Sequence, residues 1–295
     1  MGLQSFVAAR SIGIVGASPR NVIARITIDN LRRWRYPGRV LGVHPSAKPV
    51  DGVECVPSLD RPVDLCVMAV GAGNLVPAVR QAGAAGVRAL VIPGAGANEG
   101  GREIEPELRA AVAQAGVAVV GPNCMGLASL HQRVVPYVGT LDPDLQPGSV
   151  ALVSQSGSVC EMFTTLPWRI GFSHVVSVGN ELGVDLAEAL RFLVDDELTR
   201  TVALFVEGVR RPEPFRQALL RAGELGKAVV ALKVGRSEQA RTGTVAHTGA
   251  LAGDAPAFSA ILRDAGAIEV GDLDEMQVAL ELLGKGLRRP AGSVV

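Results

Sequence analysis

The chain has 295 residues and is 48% hydrophobic, enough for two domains with separate cores. Lys+Arg and Asp+Glu each total 29, and aromatics are only 4%, so neither a nucleic-acid surface nor a base-stacking platform is indicated. No apolar run approaches the about 20 residues that span a bilayer, so no membrane association is expected.

Short β-branched runs alternate with amphipathic stretches. The first is Ser11–Gly16, followed by a helical stretch to about Arg35 and then Arg39–Val43. Asp64–Val70, a helix around Leu75–Ala84, Ala89–Ile92, a helix over about Glu103–Ala115, and Val117–Gly121 complete a first set. Strands of this length separated by helices indicate βαβ units and a parallel sheet. Residues 129–148 break the rhythm with Pro136, Pro143, Pro147 and Gly148, and read as an interdomain linker. Strands are then expected at Ser149–Val153, Phe172–Val178, Val202–Val206, Ala228–Lys233 and Ala267–Val270. Helices between them are expected at about Gly157–Leu166, Asp185–Val194, Pro212–Glu224 and Ala255–Ala265. The reading is α/β throughout: a Rossmann-like domain over 1–128 and a flavodoxin-like domain over 149–295. Ligands of such sheets sit beyond the strand C-termini.

In the first domain, Gly13 and Gly16, with Ala17 and Ser18, form a strand-to-helix turn. Glycines there let a phosphate approach the helix N-terminus, although the three-glycine dinucleotide fingerprint is incomplete and a turn without a ligand explains the same residues. The second strand runs into His44, Pro45 and Lys48 rather than an acidic residue. A cation there suits a phosphorylated ribose better than NAD, and a solvated lysine fits equally. Gly71, Ala72, Gly94, Asn123 and Cys124 follow later strand ends. Four cysteines with no CxxC pair and no neighbouring histidine cluster predict no metal site and reduced thiols. The N-terminus lacks the order of a secretory signal, so a cytoplasmic protein is expected.

In the second domain, Ser154-Gln155-Ser156-Gly157-Ser158 closes a strand and opens a helix. Free amides, the helix dipole and hydroxyl donors attract an anion there, and ordinary N-capping uses the same residues. Beyond Ala228–Lys233 comes a loop rich in Gly and Thr that carries His247. A neutral imidazole is a competent nucleophile toward a γ-phosphate, and a reference pKa of about 6.5 keeps much of it neutral at pH 7. A loop histidine is also commonly just surface. Glu207 ends the strand Val202–Val206, and a carboxylate at that position is a candidate to fix the imidazole tautomer.

Taken together, Gly13–Ser18, Gly121-Pro122-Asn123-Cys124, Ser154–Gly157, Ser177-Val178-Gly179-Asn180, Glu207-Gly208 and His247-Thr248-Gly249 resemble the α subunit of succinyl-CoA synthetase. They resemble the α part of ADP-forming acetyl-CoA synthetases more closely, from about Ser11 to Leu283. The resemblance implies a CoA-binding domain, a phosphohistidine at His247, a supporting glutamate at Glu207 and a phosphate cradle at Ser154–Ser158. It implies CoA against Gly16–Ser18, His44–Lys48, Gly71-Ala72, Gly94 and Asn123-Cys124. It further implies a ligase acting through an acyl phosphate on a small carboxylic acid. ATP or GTP, with Mg2+, would be held by an ATP-grasp β-type subunit in a hetero-oligomer. Two stretches depart from the pattern: Asn21-Val22-Ile23-Ala24-Arg25 is bulkier than the usual glycines, and Gly94–Glu99 replaces the usual Ser-Ala-Gly-Phe-Gly-Glu. The alternatives are a non-catalytic CoA- or acyl-CoA-binding regulatory module and an NAD(P)-dependent oxidoreductase. The latter lacks the acidic residue that NAD requires.

Overall fold

The computed structural model describes residues 2–95, 101–166, 169–235 and 255–285. A single helical turn, α1 (Gln4–Val7), buries Phe6 ahead of the first sheet. That sheet is built from β1 (Ser11–Val15), β2 (Arg39–Val43), β3 (Cys55–Val56), β4 (Leu65–Met68), β5 (Ala89–Val91) and β6 (Ala118–Val120). Its order is β3-β2-β1-β4-β5-β6, and every pairing is parallel. The central strands are apolar at nearly every position because both faces are covered, and all four residues of β4 are buried. On one face, Ala24, Ile28 and Leu31 of α2 (Val22–Arg33) join Ile12, Ile14 and Val67. On the other, Leu75 and Val79 of α3 (Ala72–Ala84) and Leu108 of α4 (Gly101–Ala115) join Leu41, Met68 and Leu90.

The second sheet contains β7 (Gly126–Ser129), β8 (Pro147–Ser154), β9 (Phe172–Ser177), β10 (Thr201–Val206), β11 (Ala228–Lys233) and β12 (Ile268–Val270). Its order is β12-β11-β10-β8-β9-β7, parallel except for β7, which runs antiparallel to β9. The five parallel strands therefore have the flavodoxin order, with the switch point between β8 and β10. The connecting helices are α5 (Gly157–Thr164), α6 (Leu186–Asp195), α7 (Pro212–Glu224), α8 (Ala255–Asp264) and α9 (Leu273–Gly284). Asp185 and Asp272 cap α6 and α9 by accepting from the amides of Glu188 and Glu275. No helix among the described residues is long and apolar enough to cross a membrane.

Four elements were not anticipated, the first being the single turn α1. β3 has two residues, too few to show alternation. β7 lies inside the segment assigned to the first domain, yet pairs in the second sheet. α9 follows the last expected strand. The chain between β7 and β8 is irregular but packed, with Val134, Val135, Tyr137, Leu141 and Leu145 all buried.

The two sheets share one core. A single buried cluster runs from Ile12 and Ile14 through Leu127 and Tyr137 to Leu152 and Leu204. Residues 179–184 form a strap along β6: the amides of Asn180, Leu182 and Val184 donate to Pro122 O, Gly121 O and Val119 O at 2.8, 2.9 and 2.8 Å. From the other side, the buried Asn30 amide donates to Tyr137 O at 2.7 Å and Gly139 O at 3.0 Å. These bonds satisfy polar groups inside an apolar contact and hold the carboxyl ends of both sheets in fixed relation.

Candidate functional site

At the switch point of the first sheet the chain leaves β1 at Gly16, whose φ is +91°. A Cβ there would lie 2.2 Å from Ala69 O, so only glycine allows β1 and β4 to end this close together. Asn21 closes the same point. Its Oδ1 caps α2 through the Ala24 amide at 3.1 Å, and its Nδ2 donates to Gly16 O at 3.0 Å and Ala69 O at 2.7 Å. One side chain thus ties the helix start to both strand ends. It was not singled out as a site residue, although an Asn just ahead of an amphipathic run is a recognisable cap signal.

At the switch point of the second sheet Gln155 has the corresponding position. Its Oε1 accepts from the amides of Glu207 at 2.6 Å and Gly208 at 3.1 Å, and its Nε2 donates to Gly208 O at 2.8 Å. Glu207, at the end of β10, is buried beside it, and its carbonyl accepts from the buried Lys233 ammonium at 2.9 Å. The Ser154 hydroxyl is committed to the turn, donating to Ser156 O at 2.7 Å and accepting from the Ser156 amide at 3.0 Å. α5 then starts with no side-chain cap. Its first-turn amides at Gly157, Ser158 and Val159 have no intrahelical acceptors, a geometry suited to an anion.

Both switch points open into one cavity of about 660 Å³. Gly71, Ala72, Gly94, Asn123 and Cys124 line it from the first domain, and Gln155, Ser156, Gly157 and Ser158 from the second. A Cβ at Gly71 would meet nothing within 4 Å, so the wall there is open for a ligand to lie against. Asn21, Ile23, Met125, Val138 and Glu161 also line the cavity, and of these sequence reasoning did not find Val138 and Glu161.

The other expected positions do not line this cavity. Gly13 is in mid-strand, where a Cβ would lie 2.9 Å from Cys66 Sγ, so its glycine has a packing purpose. The amides of Gly16 and Ala17 donate to Val43 O at 2.8 and 3.2 Å, and Ser18 follows, half-buried. His44 Nδ1 accepts from the Ser46 amide at 3.2 Å, while Pro45 and Lys48 are exposed at the end of β2. His247 lies outside the described residues.

Cys124 is not a nucleophile. Burial raises its thiol to about 12, its hydrogen bonds only partly opposing this, and its Sγ faces Ile92 O at 3.4 Å and Val120 O at 3.6 Å. Glu181, on the strap, is raised to about 7 by burial, against which the Leu186 amide and Arg210 act. Its Oε1 accepts from Leu186 N at 2.8 Å and its Oε2 from Arg210 Nε at 3.0 Å.

Comparison with known proteins agrees with this layout. Residues 10–129 match the CoA binding domain family, and residues 147–283 match the succinyl-CoA ligase like flavodoxin domain. The α subunit of the ADP-forming acetate–CoA ligase II of Pyrococcus furiosus is 30% identical over 284 residues, 93% of this chain and 61% of that subunit. The chain thus carries a CoA binding domain followed by a succinyl-CoA ligase like flavodoxin domain, and is similar along nearly its whole length to that ligase subunit. A solved structure supports the same fold. The structure of the dinucleotide-forming acetyl-coenzyme A synthetase 1 of Candidatus Korarchaeum cryptofilum, in complex with phosphate and ADP, superposes with a TM-score of 0.88 at 28% identity. The match covers 96% of this chain and 62% of that one. A trans-feruloyl-CoA synthase from an unknown prokaryote is 32% identical over 292 residues, covering 95% of this chain and 41% of that protein. The chain thus spans roughly two fifths to three fifths of the length of these synthetase-family relatives.

Proposed function

We propose that this chain is the α-type part of an acid–CoA ligase that works through phosphohistidine and acyl phosphate. The observation that carries the proposal is the shared cavity: an uncapped helix N-terminus from the second sheet and the switch point of a CoA-binding domain face the same space. Acyl transfer to a thiol needs a phosphorylated carboxyl group and a thiol brought together, and this space joins the two chemistries.

The transfers balance as follows. His247 takes the γ-phosphoryl group of a nucleoside triphosphate, releasing the diphosphate. A carboxylate oxygen then attacks phosphorus, giving an acyl phosphate and free imidazole. The CoA thiol attacks the acyl carbon, and inorganic phosphate leaves. The first-turn amides of α5 hold the phosphoryl oxygens through the second and third steps. Glu207 orients the imidazole when His247 reaches the cavity. Gly71, Gly94 and Asn123 border the path of the thiol, and Cys124 remains protonated and takes no part in the chemistry.

The nucleotide and its Mg2+ are assigned to an ATP-grasp β-type subunit, a reading supported by the similarity to α subunits of ADP-forming ligases. The assembly is then a cytoplasmic hetero-oligomer acting on a small carboxylic acid. A reconstitution with such a subunit tests this. ADP formation beyond the single equivalent released on loading His247 is expected to require acid and CoA together, and hydroxylamine in place of CoA is expected to trap an acyl hydroxamate. The His247→Ala chain is expected to lose at least a thousandfold in rate. Acyl-CoA formation at the wild-type rate by that variant would contradict the proposal.

A further inference from the structure

The cavity has a side that neither CoA nor phosphate explains. Beyond the anion-binding turn of α5 the wall is made by Ile23, Met125 and Val138, with Glu161 beside them. Residue 161 is four positions after Gly157 and three after Ser158, so all three share one helix face and Glu161 stands one turn further along it. Its Oε1 accepts from the Thr140 amide at 3.2 Å, which fixes the side chain against the irregular chain between β7 and β8. Glu161 is the one acidic side chain lining the cavity, and no Lys, Arg or His lines it among the described residues.

We infer that Glu161 and this apolar wall form the acyl end of the site and select monocarboxylic over dicarboxylic substrates. The inference rests on the proposed function and adds its substrate class. When the reacting carboxyl group lies at the α5 amides, the rest of the acid extends toward Ile23, Met125 and Val138. An uncharged chain is buried there favourably. A second carboxylate meets Glu161 at short range and finds no Lys, Arg or His among the described lining residues, which is discrimination by a built-in repulsion.

The test is calorimetric binding of CoA, butyryl-CoA and succinyl-CoA to the full chain, wild type and Glu161→Gln. The amide keeps an oxygen for the Thr140 amide, and an unchanged unfolding midpoint reports an intact fold. Wild type is expected to bind butyryl-CoA at least tenfold more tightly than succinyl-CoA, and Glu161→Gln to narrow that ratio to about threefold or less. Glu161→Lys is expected to reverse it. Equal affinities in wild type, or an unchanged ratio in Glu161→Gln, would overturn the selectivity while leaving CoA binding and the proposed function standing. Failure of CoA itself to bind would overturn the proposed function and this inference with it.

Discussion

Glu181 is a buried acid whose ionisation the fold shifts strongly. Its left-handed backbone, with φ +54°, turns the carboxyl inward between the Leu186 amide and Arg210, with Asp185 also acting on it. Because burial raises it from 4.5 to about 7, the folded chain binds the proton more tightly than the unfolded chain. Stability from this group is therefore full below about 4.5 and is lost as pH rises to about 7, with no further change above. Urea unfolding of wild type and Glu181→Gln at several pH values checks this. The wild-type stability relative to the variant is expected to fall across that window by on the order of 2–3 kcal/mol. Parallel pH profiles would contradict it. At the residue scale the sequence displayed small polar and glycine residues at strand ends, and Gly71, Gly94, Asn123, Cys124 and Gln155–Ser158 do meet in one cavity. It did not display Val138 or Glu161 as lining residues. Their roles depend on which other strand or loop faces them, and no local pattern encodes that.

The strap of residues 179–184 is the element that joins the domains. Alternate amides bond along β6, so the segment behaves as an extra edge without being a full strand. Gly179 begins it at φ +56°, and a Cβ there would lie 2.3 Å from Pro122 O. Gly179→Ala combines backbone strain with a backbone clash, and is expected to destabilise the fold by about 2–4 kcal/mol. In hydrogen exchange, the amides of Asn180, Leu182 and Val184 are expected to lose protection well before those at the centre of β8. Uniform loss across β8 and the strap would mean that the strap is not a separate docking element. Strands with nearly continuous apolar runs, such as β4 and β10, were legible because both faces are buried. The strap was not, because its partner is a strand about 60 residues away in sequence and its own residues show neither alternation nor an apolar run.

Across the whole molecule, the two strand orders place both switch points on one cavity, and a continuous core holds them there. The alternating pattern of strands and helices made two α/β domains readable, but their docking follows from Asn30, the strap and the packed chain around Tyr137. That docking brings a CoA binding domain and an uncapped helix N-terminus to one cavity. Phosphoryl transfer through His247 is tested by incubating the chain with an ATP-grasp subunit and γ-labelled ATP and following label on this polypeptide. Acid-labile, base-stable label is expected, discharged by the acid substrate and absent from His247→Ala. Label of equal amount on His247→Ala would contradict it, as would acyl-CoA formation by an enzyme that never becomes labelled.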